Sequence, residues 1–215
     1  MRLDRTRFIR GYHLGGPFKI DEVERFIRQK HPSYSNIEVV VETGTDCAET
    51  ATGLSFYFKK IVTIEILREV FEQAVLKGKD KSNIDFRHGD SAVLLPQILG
   101  NMDEKPILFY LDAHSEAGEK NTPLLAELKA INRLRNSFDV IVVDDVRCFG
   151  LKFPRLDWTG ITEESVLACL DQDKIFDEFI AEDKMYIFVK PHSRVARKPT
   201  CFSCGRNCNH NPLIY

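Results

Sequence analysis

Five apolar runs decide what this chain can fold into: "IEVVVE", "KIVTIEI", "NIDFRHGD", "KPILFYLDAH" and "FDVIVVDD". Each is short enough for one strand, and strand-like runs of this length are bounded by turn or polar residues. The stretches between them carry apolar residues three and four apart: "ETATGLSFYFKK", "REVFEQAVLKG", "SAVLLPQILG" and "TPLLAELKAINRLRN". Gly78 stops the second of these, and Thr122–Pro123 reads as a cap and a first-turn proline for the fourth. Strands alternating with helices of this size predict a parallel sheet covered on both faces. The fourth and fifth runs lack the polar alternation of a half-exposed strand, as strands in the middle of such a sheet do.

After Gly150 the pattern changes. "TEESVLACLDQ" is helical in spacing, and "KIFDEFIAEDKMYIFVK" reads as two strands around the polar turn "AEDK". The expected fold is therefore α/β and Rossmann-like: a doubly wound, mostly parallel seven-stranded sheet with a C-terminal antiparallel hairpin. Residues 1–36 read as a helical lead with the amphipathic segment "IDEVERFIRQK", residues 37–190 as the body, and residues 191–215 as a basic, Cys/His-bearing tail. Length allows one domain with a sizeable core: 215 residues, 43% of them hydrophobic.

No apolar run approaches the ~20 residues that span a bilayer. The basic start "MRLDRTRFIRGYHLGG" has no apolar stretch behind it of the kind a secretory signal needs. The expectation is a cytoplasmic protein without a membrane span, and Cys47, Cys148 and Cys169, scattered through apolar surroundings, suit the free thiols of that compartment. Net charge is −2, unevenly spread: Lys184, Lys190, Arg194, Arg197, Lys198 and Arg206 follow the last acid, Asp183, which leaves the preceding residues at −8. So acidic a body makes nucleic acid an unfavoured partner.

The acids are ordered. Glu42, Glu65, Asp90, Asp112, and the pair Asp144–Asp145 stand at the carboxyl ends of the strands, the edge where open α/β sheets bind ligands. One such residue is commonly a helix cap. Six along one edge imply a ligand rich in hydroxyl and amino donors, or a cation, because carboxylates left unpaired there are costly. The first loop, "VVVETGTDCAETA", has Gly44 alone where a dinucleotide site carries three glycines. Glu65 lies 23 residues beyond Glu42, the spacing of a ribose-hydroxyl ligand. Glu42 and Asp46 would repel a pyrophosphate. A nucleoside with a cationic or zwitterionic tail fits better, and S-adenosylmethionine has that character; a dehydrogenase is the least favoured enzyme class.

In "ETGTDCAETA", "HGDSA", "YLDAH" and "VVDDVR" the chain resembles the class I S-adenosylmethionine-dependent methyltransferases, and within them the metal-dependent O-methyltransferase branch that includes catechol O-methyltransferase. The resemblance covers roughly residues 37–190 and implies a methyl transfer to a hydroxyl. It puts Glu42, Gly44, Thr45 and Thr50 around the methionine end of the cofactor, with Asp112 adjoining. It gives Glu65 the ribose, and Asp90 with Ser91 the adenine side. It implies a divalent ion (Mg²⁺, or Mn²⁺ or Ca²⁺) on Asp112, Asp144 and Asp145, with His114 beside the acceptor as a base or as a structural hydrogen bonder. Ala48 departs from the pattern, since such loops often carry a second glycine there. "LDAH…TPLLAEL…VVDD" also resembles methyltransferases of glycan and antibiotic-sugar pathways, which implies a glycan or small-molecule acceptor with a free hydroxyl; a homodimer is compatible with the family. Trp158 either stacks on a sugar ring or packs internally.

The tail "CFSCGRNCNH" spaces Cys201, Cys204, Cys208 and His210 as four soft ligands, which a structural Zn²⁺ can close into a tetrahedral site; a reduced or disulfide-paired tail is the alternative. Two other functional readings compete with a metal-assisted O-methyltransferase. One keeps the cofactor and makes His114 the sole base, without metal. The other is a non-catalytic methyltransferase-like module that binds partners through its basic tail.

Overall fold

A computed structural model of the chain describes residues 34, 36–102, 105–114, 122–152 and 157–192. Seven strands form one sheet: β1 (Val39–Thr43), β2 (Lys60–Glu65), β3 (Ile84–His88), β4 (Ile107–Leu111), β5 (Val140–Val143), β6 (Ile175–Ala181) and β7 (Lys184–Val189). Their order across the sheet is β3-β2-β1-β4-β5-β7-β6. The pairs among β1 to β5 are parallel, while β7 runs antiparallel to both β5 and β6. The "AEDK" turn makes the closing hairpin, with Glu182 and Asp183 both at positive φ (49° and 67°), as a two-residue hairpin turn requires. The sequence-based fold is thus the observed one. The amphipathic lead and the Cys201–Cys204–Cys208–His210 tail lie outside the described residues.

The helices are α1 (Glu49–Leu54), α2 (Arg68–Lys77), α3 (Ser91–Leu99), α4 (Leu124–Leu134) and α5 (Glu163–Leu167). The first is shorter than its apolar spacing suggests. Its chain turns after Leu54 because the Asn83 amide donates to the carbonyls of Ser55 (2.8 Å) and Phe58 (2.9 Å), leaving Phe56 and Tyr57 exposed. Helix α5 begins with a reciprocal capping box between Thr162 and Ser165. Among the described residues no helix is long and apolar enough to cross a membrane.

Period-two alternation divides the strands between two cores. On one face Val41, Val62, Ile64, Ile107, Phe109, Leu111, Ile141 and Val143 pack with side chains of α3 and α4, among them Leu95, Leu99, Leu128 and Ile131. On the other, Val40, Ile61, Leu108, Tyr110, Val140, Val142, Tyr186 and Phe188 pack with Tyr34 and with Ala51 and Leu54 of α1. Tyr34 anchors the chain ahead of β1, donating to the Val189 carbonyl at 3.0 Å with its ring edge-on to Phe188 and Phe138.

The parity of this alternation positions the site. Glu42, Thr63 and Tyr110 share the second face, and Glu42 lies in register with both Thr63 and Tyr110. Backbone bonds carry the ladder one residue past the strands: Gly44 N–H to Ile64 O, Asp112 N–H to Thr43 O, and Asp144 N–H to Leu111 O, each 3.0 Å. Gly44, Asp112 and Asp144 therefore stand side by side along the carboxyl edge.

Candidate active site

The Gly44 loop is shaped by what faces it. Gly44 has φ +84°, and a Cβ there would lie 2.4 Å from the carbonyl oxygen of Asp112 and 3.0 Å from the Cα of Ala113. Only glycine permits that approach of the first loop to the end of β4. Glu65 ties the loop down from the other side, accepting the Asp46 N–H (3.1 Å) and the Leu67 N–H (2.8 Å). Ala48, at the departure from the family pattern, adopts φ 56° and ψ 26° and is fully buried. Alanine thus takes the left-handed conformation that glycine takes more readily.

Beneath the loop, Thr45 and Thr63 share a 2.6 Å hydroxyl contact, and the Thr63 hydroxyl donates to the buried Glu42 carboxylate. Burial pushes Glu42 up to about 8; the Thr63 bond opposes this and the charge of Glu65 adds to it. Asp90 caps α3 by accepting the Ala92 N–H at 2.8 Å, with Ser91 buried next to it. Thr50 is half-buried on α1. On the opposite face of the sheet, Glu127 of α4 is buried in step with Leu124, Leu128 and Ile131. Burial pushes its carboxyl up to about 7, and the hydroxyls of Ser91 and Thr43 oppose the shift.

The second half of the edge is charged. Asp112 makes no side-chain hydrogen bond among the described residues, and His114 Nδ1 lies 3.9 Å from its Oδ1. His114 Nε2 is 2.5 Å from Asp145 Oδ2. Burial disfavours the charged imidazole, but the bond to Asp145 and the charge of Asp112 outweigh it and raise the His114 pKa. Asp112 is raised well above the usual carboxylate range by burial and by the charge of Asp144. Asp145, at φ 59°, turns away from its neighbour: its Oδ1 is 2.5 Å from the Arg147 guanidinium, which also pairs with Asp183 of the hairpin turn. Asp144 instead accepts from the Tyr110 hydroxyl and the Asp145 N–H (2.7 Å), and Lys184 Nζ lies 3.2 Å from its Oδ1. The ligand atoms of Asp112, His114 and Asp145 lie within 4.8 Å of one another; so do those of Asp144, Asp145 and Asp183.

The edge thus brings Glu42, Gly44, Thr45, Glu65 and Asp112 together around the first loop and Asp112, His114 and Asp145 together at the end of β5, with Asp144 directed to Tyr110 and Lys184. Tyr110, Arg147, Asp183 and Lys184 went unnoticed in the sequence as site residues. Lys184 had a usable signal: once the hairpin pairs with β5 so that Val143 opposes Met185, Asp144 must meet Lys184. Trp158 is buried, with its ring stacked on Phe149 at 6.0 Å and tilted against His114 at 5.5 Å, so packing accounts for it.

No protein-family model matches the chain, and no curated protein does. Solved structures do match. An O-methyltransferase from Bacillus cereus in complex with SAH shares 13% identity over 84% of each chain, with a TM-score of 0.54. The N-methyltransferase NodS from Bradyrhizobium japonicum shares 14% identity over 80% of this chain and 96% of its own, with a TM-score of 0.50. An rRNA methylase from Streptococcus thermophilus shares 12% identity over 83% and 98%, with a TM-score of 0.50. At these identities the likeness is one of fold, and the fold is that of class I S-adenosylmethionine-dependent methyltransferases. Oxygen, nitrogen and RNA acceptors all appear among the three, so the fold leaves the acceptor open.

Proposed function

We propose that this chain is an S-adenosylmethionine-dependent methyltransferase acting on a hydroxyl oxygen of a sugar, glycan or small molecule. One observation carries the reading: Asp112 belongs to both halves of the edge. Its backbone carbonyl is the floor that Gly44 leaves open, and its carboxylate faces His114 and Asp145. A methyl donor seated over Gly44 and an acceptor seated over the acid cluster would meet there.

When bound, S-adenosylmethionine would supply a methyl group on a sulfonium for the acceptor oxygen and leave as S-adenosylhomocysteine, the hydroxyl proton passing to His114 or to solvent. The Gly44 cradle, the neighbouring Glu65 and the acids around them suit a cationic nucleoside with free ribose hydroxyls. The two oxygen donors of Asp112 and Asp145 suit a divalent ion, which supplies a Lewis acid beside the acceptor. The residues then do the positioning. Asp145 orients the His114 ring through Nε2, Arg147 fixes Asp145 to the hairpin, and Trp158 backs the ring from one side.

The 2.5 Å His114–Asp145 contact also supports a second reading, in which the pair accepts the acceptor's proton at His114 Nδ1 without an ion. Calorimetry with S-adenosylmethionine and with SAH, each with and without Mg²⁺, tests the proposal before any acceptor is known. Saturable binding of both nucleosides is expected. Absence of binding under all four conditions would remove the methyltransferase reading.

A further inference from the structure

Two neighbouring aromatic rings stand bare on the turn after α1: Phe56 is 72% exposed and Tyr57 53%. They lie between two inward anchors, Leu54 and Phe58, which pack into the second core. The turn is held in place. The N–H groups of Tyr57 and Phe58 both donate to the Leu54 carbonyl, at 3.0 and 3.1 Å. The Asn83 amide ties the carbonyls of Ser55 and Phe58 to the loop before β3. With the anchors fixed on either side, the two rings have no route into the core. Apolar surface held out in this way gains free energy when a partner covers it.

Lysines surround the rings. Lys59 and Lys60 follow them directly, and Lys79 and Lys81 belong to the loop that Asn83 closes. Lys81 Nζ sits 3.4 Å from the centroid of the Phe56 ring, so that loop reaches the turn. Lys59 pairs with Glu38 at 2.5 Å, while Lys60 and Lys79 are exposed. The four lysines outnumber the two acids beside them, Glu38 and Asp80, which reverses the acidic surplus of the body. Both loops lead into strands, the first into β2 and the second into β3, so the patch lies at the amino edge of the sheet. The length of β2 separates it by about 17 Å from the carboxyl edge and its acids.

We propose that this patch docks the chain on an anionic lipid bilayer, with the Phe56 and Tyr57 rings in the headgroup boundary and the lysines on the lipid charges. Aromatic rings favour that boundary, and lysine keeps its ammonium among the headgroups while its stem lies along apolar surface. A bilayer meets only the edge turned toward it and leaves the acidic carboxyl edge in water. Single-stranded nucleic acid, the other ligand for lysines beside aromatic rings, fits less well. One face of Phe56 already carries the Lys81 ammonium, and a strand running beyond the patch would meet the acidic body.

The test is flotation of the full chain with vesicles of phosphatidylcholine, alone or with about one-third phosphatidylserine. Binding to the anionic vesicles should be at least about ten-fold the stronger, and it should weaken as salt rises. Phe56→Ser with Tyr57→Ser, and separately Lys60→Glu with Lys79→Glu, should each weaken it by at least about ten-fold and leave the melting temperature unchanged. Phe56→Trp reads the contact directly. Its emission should shift to the blue on anionic vesicles and be quenched by lipids brominated along the acyl chain, with the buried Trp158 as a constant background. Absence of vesicle binding, equal binding to both compositions, or an unquenched Phe56→Trp variant would each overturn the proposal. So would tighter binding to a polyuridine oligonucleotide that the same substitutions abolish. Vesicle binding that survives both double substitutions belongs to the basic residues after Asp183 and overturns it as well. The result is independent of the methyltransferase reading, which calorimetry with SAH decides separately.

Discussion

The two ends of the sheet treat buried charge in opposite ways. At the amino end Asp139 is completely buried. It accepts the Arg135 Nε–H and Nη2–H at 3.0 Å each and the Ile107 N–H at 2.8 Å. Beside it the buried Lys174 donates to the carbonyls of Asn132 (2.6 Å) and Arg135 (3.1 Å). Burial raises the Asp139 pKa, and Arg135 pulls it back. With Asp171 at 3.8 Å from Lys174, every charge named there has its counterpart, and the network ties the end of α4 to the starts of β4 and β5. At the carboxyl end the carboxylates outnumber the cations. Closed charge networks hold a fold together, whereas surplus charge of one sign is kept at a cost to stability and points to a ligand that neutralises it.

That contrast predicts unequal consequences of removing a single carboxylate. Asp139→Ala strands a buried guanidinium and should cost about 3–5 kcal/mol in urea unfolding, with nucleoside binding retained by whatever remains folded. Asp112→Asn relieves repulsion and should leave stability unchanged or higher, while abolishing the proposed methyl transfer. Equal destabilisation by the two changes would break the comparison, because Asp112 would then be a structural charge like Asp139.

The next largest effect is one of pH. The folded-state pKa of Glu42 is raised to about 8 and that of Glu127 to about 7. Between the ordinary carboxylate range and those values the native chain keeps protons that the unfolded chain has released, so stability falls as pH rises. Glu42 alone should lose on the order of 3 kcal/mol between pH 5 and pH 8, and Glu127 adds a smaller loss in the same direction. Glu42→Gln should flatten most of that slope and be the more stable chain at pH 8. A wild-type profile that is flat or rises over this window would show that the carboxyl end holds no such strain.

How far these features could be read in advance depends on whether they are local. The mostly parallel sheet and its hairpin followed from apolar runs and a four-residue turn, whereas the order of the strands is visible only in the structure. The acids were legible as a row along one edge because each stands at or just past the end of a strand. Their partners were not: Lys184 reaches Asp144 through the β5–β7 register, and Arg147 reaches Asp183 across 36 residues, pairings that exist only once the sheet has formed. Glu127 differs. It stands in step with Leu124, Leu128 and Ile131 on α4, so helical spacing places it on the buried face, while the residues it meets there become visible only in the fold.

The smallest predicted effect separates two positions in one loop. Gly44 and Ala48 both have positive φ, +84° and +56°, yet they should respond oppositely to exchange. Gly44→Ala pays the left-handed cost and also drives a methyl to 2.4 Å from the Asp112 carbonyl, which cannot move without breaking the Asp112 N–H bond to Thr43. It should cost about 2 kcal/mol or more and weaken nucleoside binding at least about ten-fold. Ala48→Gly relieves about 1 kcal/mol of backbone strain. It gives up a buried methyl and adds chain entropy to the unfolded state, two losses of similar size. The net change should stay within about 0.5 kcal/mol, with nucleoside affinity retained. Thermal melts and calorimetry on the two variants decide the matter. If Ala48→Gly proves as damaging as Gly44→Ala, the loop's path is set by its side chains and not by the backbone approach to β4.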